Sequence, residues 1–353
     1  MKKLVVLALI AGGLWYAWNR GWLGATADDA QDPVASAQDG IAIDGDDLQL
    51  DTPPQSGNDS QPPANEGQRG SLPPDLAKRM ARADAEWKRL VEAGEDPTLH
   101  RQAPSLARIY SDALMATYND PTLASLQRRL IDTRLTPLGD RLFFSRFIPD
   151  DPNLPMFVRH IVSSGENPDR IGRQYGMSAE HVMLVNDIDD PRRLRAGDPL
   201  KVINVKEDGF FIHVSKSQFT LDFFICGLFA RRYPVGIGHP ETPTPVGRAR
   251  IDLREWHPQW TTPEGQVLPY GHPDNILGPV WLRLKQAEIN QGGIGIHGFD
   301  GDPDQAVRVR GSNGCVRMRN EDAIQVYQIL TRVQYDSNGD LLQRAPMWVR
   351  IVE

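Results

Sequence analysis

The chain has 353 residues, of which 40% are hydrophobic and 24% are charged, and this is enough for two or three globular units. Its formal net charge of −7 argues against nucleic acid as a partner. The negative charge is concentrated in residues 28–70, which hold ten acidic residues and a single basic one, Arg69. The acidity therefore belongs to one segment, and the remainder of the chain is almost neutral.

The N-terminus has the pattern of an export signal. Lys2 and Lys3 precede an apolar run, and Ala25-Thr26-Ala27 offers small residues for cleavage. Aromatic residues in the run also suit a membrane interface. Residues 1–25 are therefore predicted to be either a signal peptide or a signal anchor that holds residues 4–23 in the inner membrane. Both alternatives export the bulk of the protein to the periplasm, within the cell envelope.

Two segments of contrasting composition follow. Residues 26–72 are rich in Asp, Pro, Gln, Ser and Gly, a composition typical of a disordered spacer. Residues 73–150 show the three- and four-residue spacing of amphipathic helices and predict a small α-helical domain. In the first helix, apolar residues recur at this spacing before Gly94 ends it: Leu76, Met80, Ala83, Trp87 and Leu90.

Residues 156–205 predict a strand, two short helices and a closing strand. The segment resembles the LysM domain, a βααβ module that binds N-acetylglucosamine-containing glycans such as peptidoglycan. One departure is Asn167-Pro168-Asp169, which stands where the family usually has Thr or Ser and a hydrophobic residue. The resemblance implies glycan binding through four residues of the loops: Gly165, Glu166, Asn167 and Asn186.

Residues 209–353 are rich in strand-like segments. Two of them flank Cys226-Gly227, a pair that predicts a tight hairpin turn. The only other cysteine is Cys315. In an exported protein, two cysteines form a disulfide or leave an unpaired thiol that is a candidate reactive site. The sequence around Cys315 favours the second interpretation.

The segment Ser312-Asn313-Gly314-Cys315-Val316-Arg317-Met318 places a cysteine in a glycine-containing turn, and His297-Gly298 lies shortly before it. Cysteine reacts as its thiolate, and an imidazole can take the thiol proton and return one to a leaving amine. We therefore predict Cys315 as a nucleophile and His297 as its general base and acid. The backbone N–H groups of Gly314 and Cys315 are candidate donors to an oxyanion.

These motifs and the strand segments before them resemble the L,D-transpeptidase catalytic domain of the YkuD type. The resemblance implies a β-rich fold around a mixed sheet, with the cysteine attacking the carbonyl that joins the third residue of a peptidoglycan stem peptide to D-alanine. The resulting thioester passes to an amine of another stem peptide and forms a 3→3 cross-link, or exchanges the terminal D-amino acid. Four residues are assigned by this resemblance to substrate binding: Arg317, Ser312, Gly298 and Tyr270.

Several details of this site have alternatives. Arg317 either neutralises a substrate carboxylate, stabilises the thiolate, or forms a structural salt bridge, and Ser312 hydrogen-bonds either His297 or the turn backbone. Asn313 stands where many family members have a second histidine, so the base role falls on His297. We expect His297 to lie at a strand end, oriented by a backbone carbonyl.

The expected protein is multidomain, with a small α-helical domain, a LysM module at residues 156–205 and a catalytic domain at residues 209–353. Its histidines lack the spacing of metal-binding motifs, so we expect neither a metal nor a cofactor. The predicted partners are peptidoglycan stem peptides and glycan strands. Two alternatives stay open: a hydrolytic carboxypeptidase- or amidase-like member of the same fold, and a non-catalytic glycan-binding scaffold.

Overall fold

The structure is a computed structural model that describes residues 70–353 except 119, 150, 152–153, 263, 286–288, 290, 336–340 and 344. The predicted signal anchor at residues 1–25 and most of the predicted spacer at residues 26–72 lie outside the described residues. Among the described helices, none is long and apolar enough to cross a lipid bilayer. Residues 69–353 form one compact unit.

The first described part is helical, as its spacing predicts. Its helices are α1 (Pro74–Glu92), α2 (Ala103–Thr117), α3 (Ala124–Leu130) and α4 (Thr136–Phe143), with a π-helical turn at Ile131–Leu135 between the last two. Helix α1 ends just before Gly94, whose φ is +76°. Ala83 and Leu90 of the predicted stripe are buried, and the other three residues pack against the same core.

The second part has the predicted order of strand, two helices and strand. Its elements are β1 (Phe157–Ile161), α5 (Pro168–Tyr175), α6 (Ala179–Val185) and β2 (Pro199–Ile203). Strands β1 and β2 pair antiparallel. Each helix begins at a side-chain cap: Asn167 accepts a hydrogen bond from the Arg170 N–H, and Ser178 accepts one from the His181 N–H.

The third part is built on a mixed eight-stranded sheet. Its strands are β3 (Phe210–Ser215), β4 (Thr220–Ile225), β5 (Leu228–Pro234), β7 (Gly247–Trp256), β10 (Leu277–Leu284), β11 (Gly295–Phe299), β13 (Val316–Arg317) and β16 (Met347–Val352). Their order across the sheet is β13-β11-β10-β7-β16-β3-β4-β5. The pairs β16–β3 and β11–β13 are parallel, and the other neighbours are antiparallel.

Shorter elements surround the sheet. They are β6 (Ile237–Gly238), β8 (Trp260–Thr261), β9 (Val267–Leu268), β12 (Arg310–Ser312), helix α7 (Asn320–Ile329), β14 (Val333–Tyr335) and β15 (Leu341–Gln343). Strands β8 and β9 form a small antiparallel hairpin, and β12 pairs parallel with β6. This architecture of helical part, βααβ module and mixed sheet confirms the predicted fold class.

The predicted hairpin turn at Cys226-Gly227 is confirmed. It joins β4 to β5, and both residues have positive φ, +50° and +73°. Two positive φ values are the signature of a two-residue hairpin turn whose twist matches that of its strands. Cys226 is buried, and Cys226 and Cys315 are both free thiols, which rules out the disulfide alternative.

The helical part packs directly on β5, the edge strand of the large sheet. Helix α4 approaches so closely that a Cβ added at Gly139 would lie 2.2 Å from the backbone oxygen of Ala230. Arg108 of α2 also donates a hydrogen bond of 2.9 Å from Nη2 to the Cys226 carbonyl. The helices therefore cover an edge that would otherwise be exposed to other chains.

The βααβ module is joined to both neighbouring parts by buried polar contacts. The Lys201 ammonium of β2 donates to the carbonyls of Leu142 and Ser145, at 2.5 Å and 2.9 Å. Burial lowers the pKa of Lys201 to about 7. On the other side, the Ser178 hydroxyl donates to the Gln328 carbonyl in α7. The module is thus fixed by its side chains to the helical part and to helix α7.

The contact at Gly139 predicts that alanine at this position destabilises the protein, although helix propensity by itself favours alanine. Alanine in a helix is favoured over glycine by about 1 kcal/mol, but a Cβ here must push α4 away from β5. We expect Gly139→Ala to lower the free energy of unfolding by about 1–3 kcal/mol, measured by urea denaturation. Lys88→Ala on exposed α1 is the control and should change it by less than about 0.5 kcal/mol. A Gly139→Ala protein as stable as the parent would contradict this packing.

Candidate active site

The parallel pairing of β11 with β13 brings the two predicted catalytic residues together. Ile296 pairs with Val316, and His297 pairs with Arg317. Cys315 directly precedes β13, so it lies on the same face of the sheet as Arg317 and His297. Strand β13 is held on its other side by Gly236, which exchanges two 2.9 Å backbone hydrogen bonds with Arg317.

The turn before Cys315 is shaped by Ser312 and Gly314. The Ser312 hydroxyl donates a 2.6 Å hydrogen bond to the Cys315 carbonyl, which is the backbone alternative of the two predicted for Ser312. Gly314 has a φ of +105°, and a Cβ there would lie 2.8 Å from Ile294 Cδ1. Within the described residues, the backbone N–H groups of Gly314 and Cys315 have no protein acceptor.

His297 is buried, and its ring is oriented by a backbone carbonyl, as predicted. Its Nδ1 hydrogen-bonds the Gly298 carbonyl. A carbonyl can only accept, so Nδ1 carries the proton and the neutral ring leaves Nε2 free to accept one. The expectation that His297 lies at a strand end is wrong, because it is the central residue of β11.

Burial moves the pKa values of both groups away from neutrality. It raises the pKa of the Cys315 thiol to about 11, against the smaller lowering effects of the Gly295 backbone and the Arg317 charge. It lowers the pKa of His297 to about 4, and the Gly298 carbonyl opposes this shift only in part. At neutral pH the pair is therefore a neutral thiol and a neutral imidazole that line one cavity, and the thiol donates a 3.5 Å hydrogen bond to the Gly293 carbonyl.

Arg317 faces the same space as Cys315 and His297. Its guanidinium carbon lies 4.3 Å from the centre of the Phe299 ring, and its Nε is buried without a hydrogen-bond partner in the described structure. Arg317 forms no ion pair with an acidic side chain among the described residues, so the predicted structural salt bridge is absent there. Its charge lowers the pKa of Cys315, as a thiolate-stabilising role requires.

These residues line one cavity of about 500 Å³. Its lining residues are Glu255, Gln259, Trp260, Thr261, Ile276, Leu277, Trp281, Gly292, Gly293, His297, Ser312, Asn313, Cys315 and Arg317. The hairpin β8–β9 supplies one wall, and the buried Asn275 amide holds it by donating to the carbonyls of Pro258, Leu268 and Pro269. Trp260 is the aromatic residue that the segment before Leu277 contributes to the cavity.

Trp281 and Glu255 are two of the several lining residues that the sequence prediction missed. Trp281 of β10 lies against His297, with ring centres 5.6 Å apart, and Glu255 of β7 lies beyond it. The strand-like alternation of residues 277–284 could have indicated that Trp281 faces the same side as Leu277. No comparable signal marks Glu255, because its position depends on how β7 aligns with β10.

Two residues assigned to substrate binding lie outside the cavity lining. Gly298 is buried behind His297, where a Cβ would lie 2.3 Å from the Asn320 side-chain oxygen. Tyr270 stacks on His257, with ring centres 4.0 Å apart. Both placements argue against direct substrate contact: Gly298 orients His297 with its carbonyl, and Tyr270 packs within the segment that carries the hairpin.

Of the four predicted glycan-binding residues, two serve the βααβ fold. The Asn186 amide is buried and bonds the carbonyls of Val182 and Lys201 and the Lys201 N–H. Its side chain therefore serves the fold, and glycan contact at Asn186, which also lines a cavity described below, stays a prediction. Asn167 caps α5.

The other two residues stand in the loop after β1. Glu166 accepts hydrogen bonds from the Ser163 N–H, the Gln174 amide and His160, and these lower its pKa to about 2. Gly165 has a φ of +80° with open space around it. A separate cavity of about 330 Å³ lies at the α6–β2 connection, and Arg146 of the helical part contributes to its lining.

Comparison with known proteins assigns two parts of the chain. Residues 209–343 match the family model of the L,D-transpeptidase catalytic domain, YkuD, and residues 160–202 match that of the LysM domain. The chain therefore contains an L,D-transpeptidase catalytic domain preceded by a LysM domain, as the sequence predicts. These domains imply peptidoglycan binding and a place in the cell envelope.

Individual relatives are distant. The chain is 25% identical over 134 residues to "Putative L,D-transpeptidase YqjB" of Bacillus subtilis (strain 168), covering 38% of this chain and 67% of that protein. An L,D-transpeptidase structure from Mycobacterium smegmatis is 16% identical, with a TM-score of 0.31, covering 44% of this chain and 64% of that one. One from Mycobacterium tuberculosis H37Rv is 16% identical, with a TM-score of 0.32, covering 46% and 75%.

The neutral resting pair predicts the pH dependence of thiol alkylation. Because the pKa of Cys315 is about 11, its thiolate fraction rises about tenfold per pH unit below that value. We expect iodoacetamide to modify Cys315 at a rate that climbs in this way from pH 7 to pH 10, as measured by intact mass and peptide mapping. Cys226, with a pKa of about 12 and a buried side chain, is the internal control and should react more slowly. A Cys315 rate independent of pH above 7 would instead indicate a resting thiolate–imidazolium pair.

Proposed function

We propose that this protein is a peptidoglycan L,D-transpeptidase that acts through a thioester on Cys315 and forms 3→3 cross-links. The observation that carries the proposal is the placement of Cys315 and His297 on one face of the sheet, in one cavity, with Nε2 of His297 left free to accept a proton. The match to the L,D-transpeptidase catalytic domain supports the same chemistry.

In the first half-reaction, the Cys315 sulfur attacks the carbonyl carbon of the third stem-peptide residue while His297 Nε2 takes the thiol proton. The carbonyl oxygen becomes an oxyanion, and the unengaged N–H groups of Gly314 and Cys315 are its donors. The bond to the D-alanine nitrogen then breaks, His297 returns the proton to that nitrogen, and D-alanine leaves. The third residue remains joined to Cys315 as a thioester.

In the second half-reaction, an amine of another stem peptide attacks the thioester carbon. His297 takes a proton from the attacking nitrogen and gives it to the departing Cys315 sulfur, so that an amide bond forms and the free enzyme is restored. Arg317 lines the cavity and forms no ion pair with a described acidic side chain, so its guanidinium is positioned for a carboxylate of the donor peptide. A D-amino acid in place of the second stem peptide gives exchange, and water gives hydrolysis.

The LysM domain is proposed to hold the enzyme on glycan strands, which raises the local concentration of stem peptides at the catalytic cavity. For the N-terminal segment, anchoring of residues 4–23 in the inner membrane stays a prediction. Such an anchor would keep the enzyme close to the layer of peptidoglycan nearest the membrane.

The proposal predicts a product that depends on Cys315. The full chain incubated with a disaccharide-tetrapeptide should release D-alanine and form a dimer, detected by mass spectrometry. Cys315→Ala should abolish both products, and His297→Gln should slow them by about 10²–10⁴-fold, because proton transfer loses its base. Cys226→Ala, away from the cavity, should keep the product pattern.

Two other results of this experiment would favour the alternative functions, hydrolysis or a non-catalytic scaffold. Tripeptide without dimer, formed only when Cys315 is present, would replace transpeptidation with the hydrolytic activity. Unchanged substrate with the parent protein, combined with retention on sedimented peptidoglycan, would leave the non-catalytic scaffold as the function and would contradict the proposal.

A further inference from the structure

Four side chains form a straight row across the floor of the cavity. In the sheet, Arg317 of β13 pairs with His297 of β11, His297 pairs with Trp281 of β10, and Trp281 pairs with Glu255 of β7. Directly paired residues point to the same face, and all four line the cavity. The row therefore has a guanidinium at one end and a carboxylate at the other, with the predicted base between them.

Strand spacing gives the length of this row. Neighbouring strands lie about 4.8 Å apart, so Glu255 is two strands, or about 10 Å, from His297 and three strands from Arg317. Glu255 is consequently too distant to act on the scissile carbonyl itself. It is close enough to contact another part of a peptide whose carbonyl carbon is held at Cys315.

Glu255 has no partner of its own. Within the described residues its carboxylate makes no hydrogen bond and no ion pair. Arg283, the cation whose charge acts on Glu255, is bound to Asp252 through two hydrogen bonds, of 2.8 Å and 3.3 Å. The partial burial of Glu255 raises its pKa, against the opposing charge of Arg283. A partly desolvated carboxylate without a partner gains more from an incoming cation than an exposed one does.

A cationic side chain covers part of the separation between Cys315, at β13, and Glu255, three strands away. The acyl group at one end and the Glu255 side chain at the other cover the rest. A lysine-like side chain has a four-carbon stem, and bonds of about 1.5 Å give it a span of roughly 6 Å from Cα to the amine nitrogen. Starting from an acyl group on Cys315, such a stem runs along the row over Trp281. The indole offers an apolar surface to the stem and a favourable face to the cation.

We propose that Glu255 binds the side-chain ammonium of the residue that is acylated onto Cys315, so that the enzyme selects donor peptides with a diamino acid at that position. This inference rests on the proposed function, because it takes Cys315 as the acylated residue. It makes Glu255 a specificity residue for the donor, acting through substrate binding and not through proton transfer.

The test compares two donors that differ only in the amine. The full chain is mixed with the tetrapeptide L-Ala-γ-D-Glu-L-Lys-D-Ala or with the same peptide carrying norleucine in place of lysine. The rate of Cys315 acylation in a single turnover, at donor concentrations below saturation, is followed by intact mass. An ion pair in a partly buried site is worth roughly a tenfold to hundredfold preference, and we expect the lysine donor to react faster by that factor.

Glu255→Gln keeps the shape of the side chain and removes its charge. It should slow acylation by the lysine donor roughly tenfold to hundredfold and leave the norleucine donor unchanged, so that the preference disappears. The unchanged norleucine rate shows that the variant is folded. Glu264→Gln, an exposed glutamate in the β8–β9 hairpin and outside the cavity lining, is the matched control and should keep the preference of the parent.

The results distinguish a failure of the role of Glu255 from a failure of the proposed function. Equal acylation of the parent by both donors, or equal slowing of both by Glu255→Gln, would overturn the role of Glu255 while keeping Cys315 as the nucleophile. Failure of both donors to acylate the parent would overturn the proposed function, and the inference would fall with it.

Discussion

The register of the short strand β13 is the constraint on which the candidate site depends. A slip of one residue would turn every side chain of β13 to the opposite face of the sheet. Arg317 would then leave the cavity, and Cys315 would no longer lie beside His297. Because β13 has only two residues, its own ladder is weak, and backbone bonds from Gly236 on the open side and from the Met318 N–H to the His297 carbonyl supply the missing support.

Burial shifts the pKa values of the candidate site more strongly than the neighbouring charges do. It is the largest contribution to the shifts at both Cys315 and His297, and it moves them in the directions that keep each group neutral. A neutral thiol is protected from unspecific reaction, and the neutral imidazole keeps Nε2 without a proton, as the proposed transfer from the thiol requires. The tautomer is fixed by the Gly298 carbonyl, so no acidic side chain is needed to orient the base.

Buried contacts join the helical part to the catalytic sheet, and the LysM domain to the helical part and to helix α7. Gly139 allows α4 to rest on the backbone of β5, and Lys201 reaches from the LysM domain to carbonyls at the end of the helical part. A buried lysine satisfied by carbonyls is sensitive to misplacement, because moving either part leaves its ammonium without partners. The orientation of the LysM domain beside the catalytic domain is therefore specified by side-chain contacts.

The sequence by itself determined three local features: the helical stripe from Leu76 to Leu90, the βααβ order and the Cys226-Gly227 turn. It also predicts Cys315 and His297 as a reactive pair, and the structure places both in one cavity. Each of these predictions rests on a short-range pattern of periodicity, turn chemistry or motif. Only the tertiary structure placed Glu255 and Trp281 in the cavity, left Tyr270 outside it, and directed the amide hydrogen bonds of Asn186 into the LysM fold. These outcomes depend on the alignment of strands far apart in the chain and on which polar groups meet when the core closes, and no local pattern encodes either.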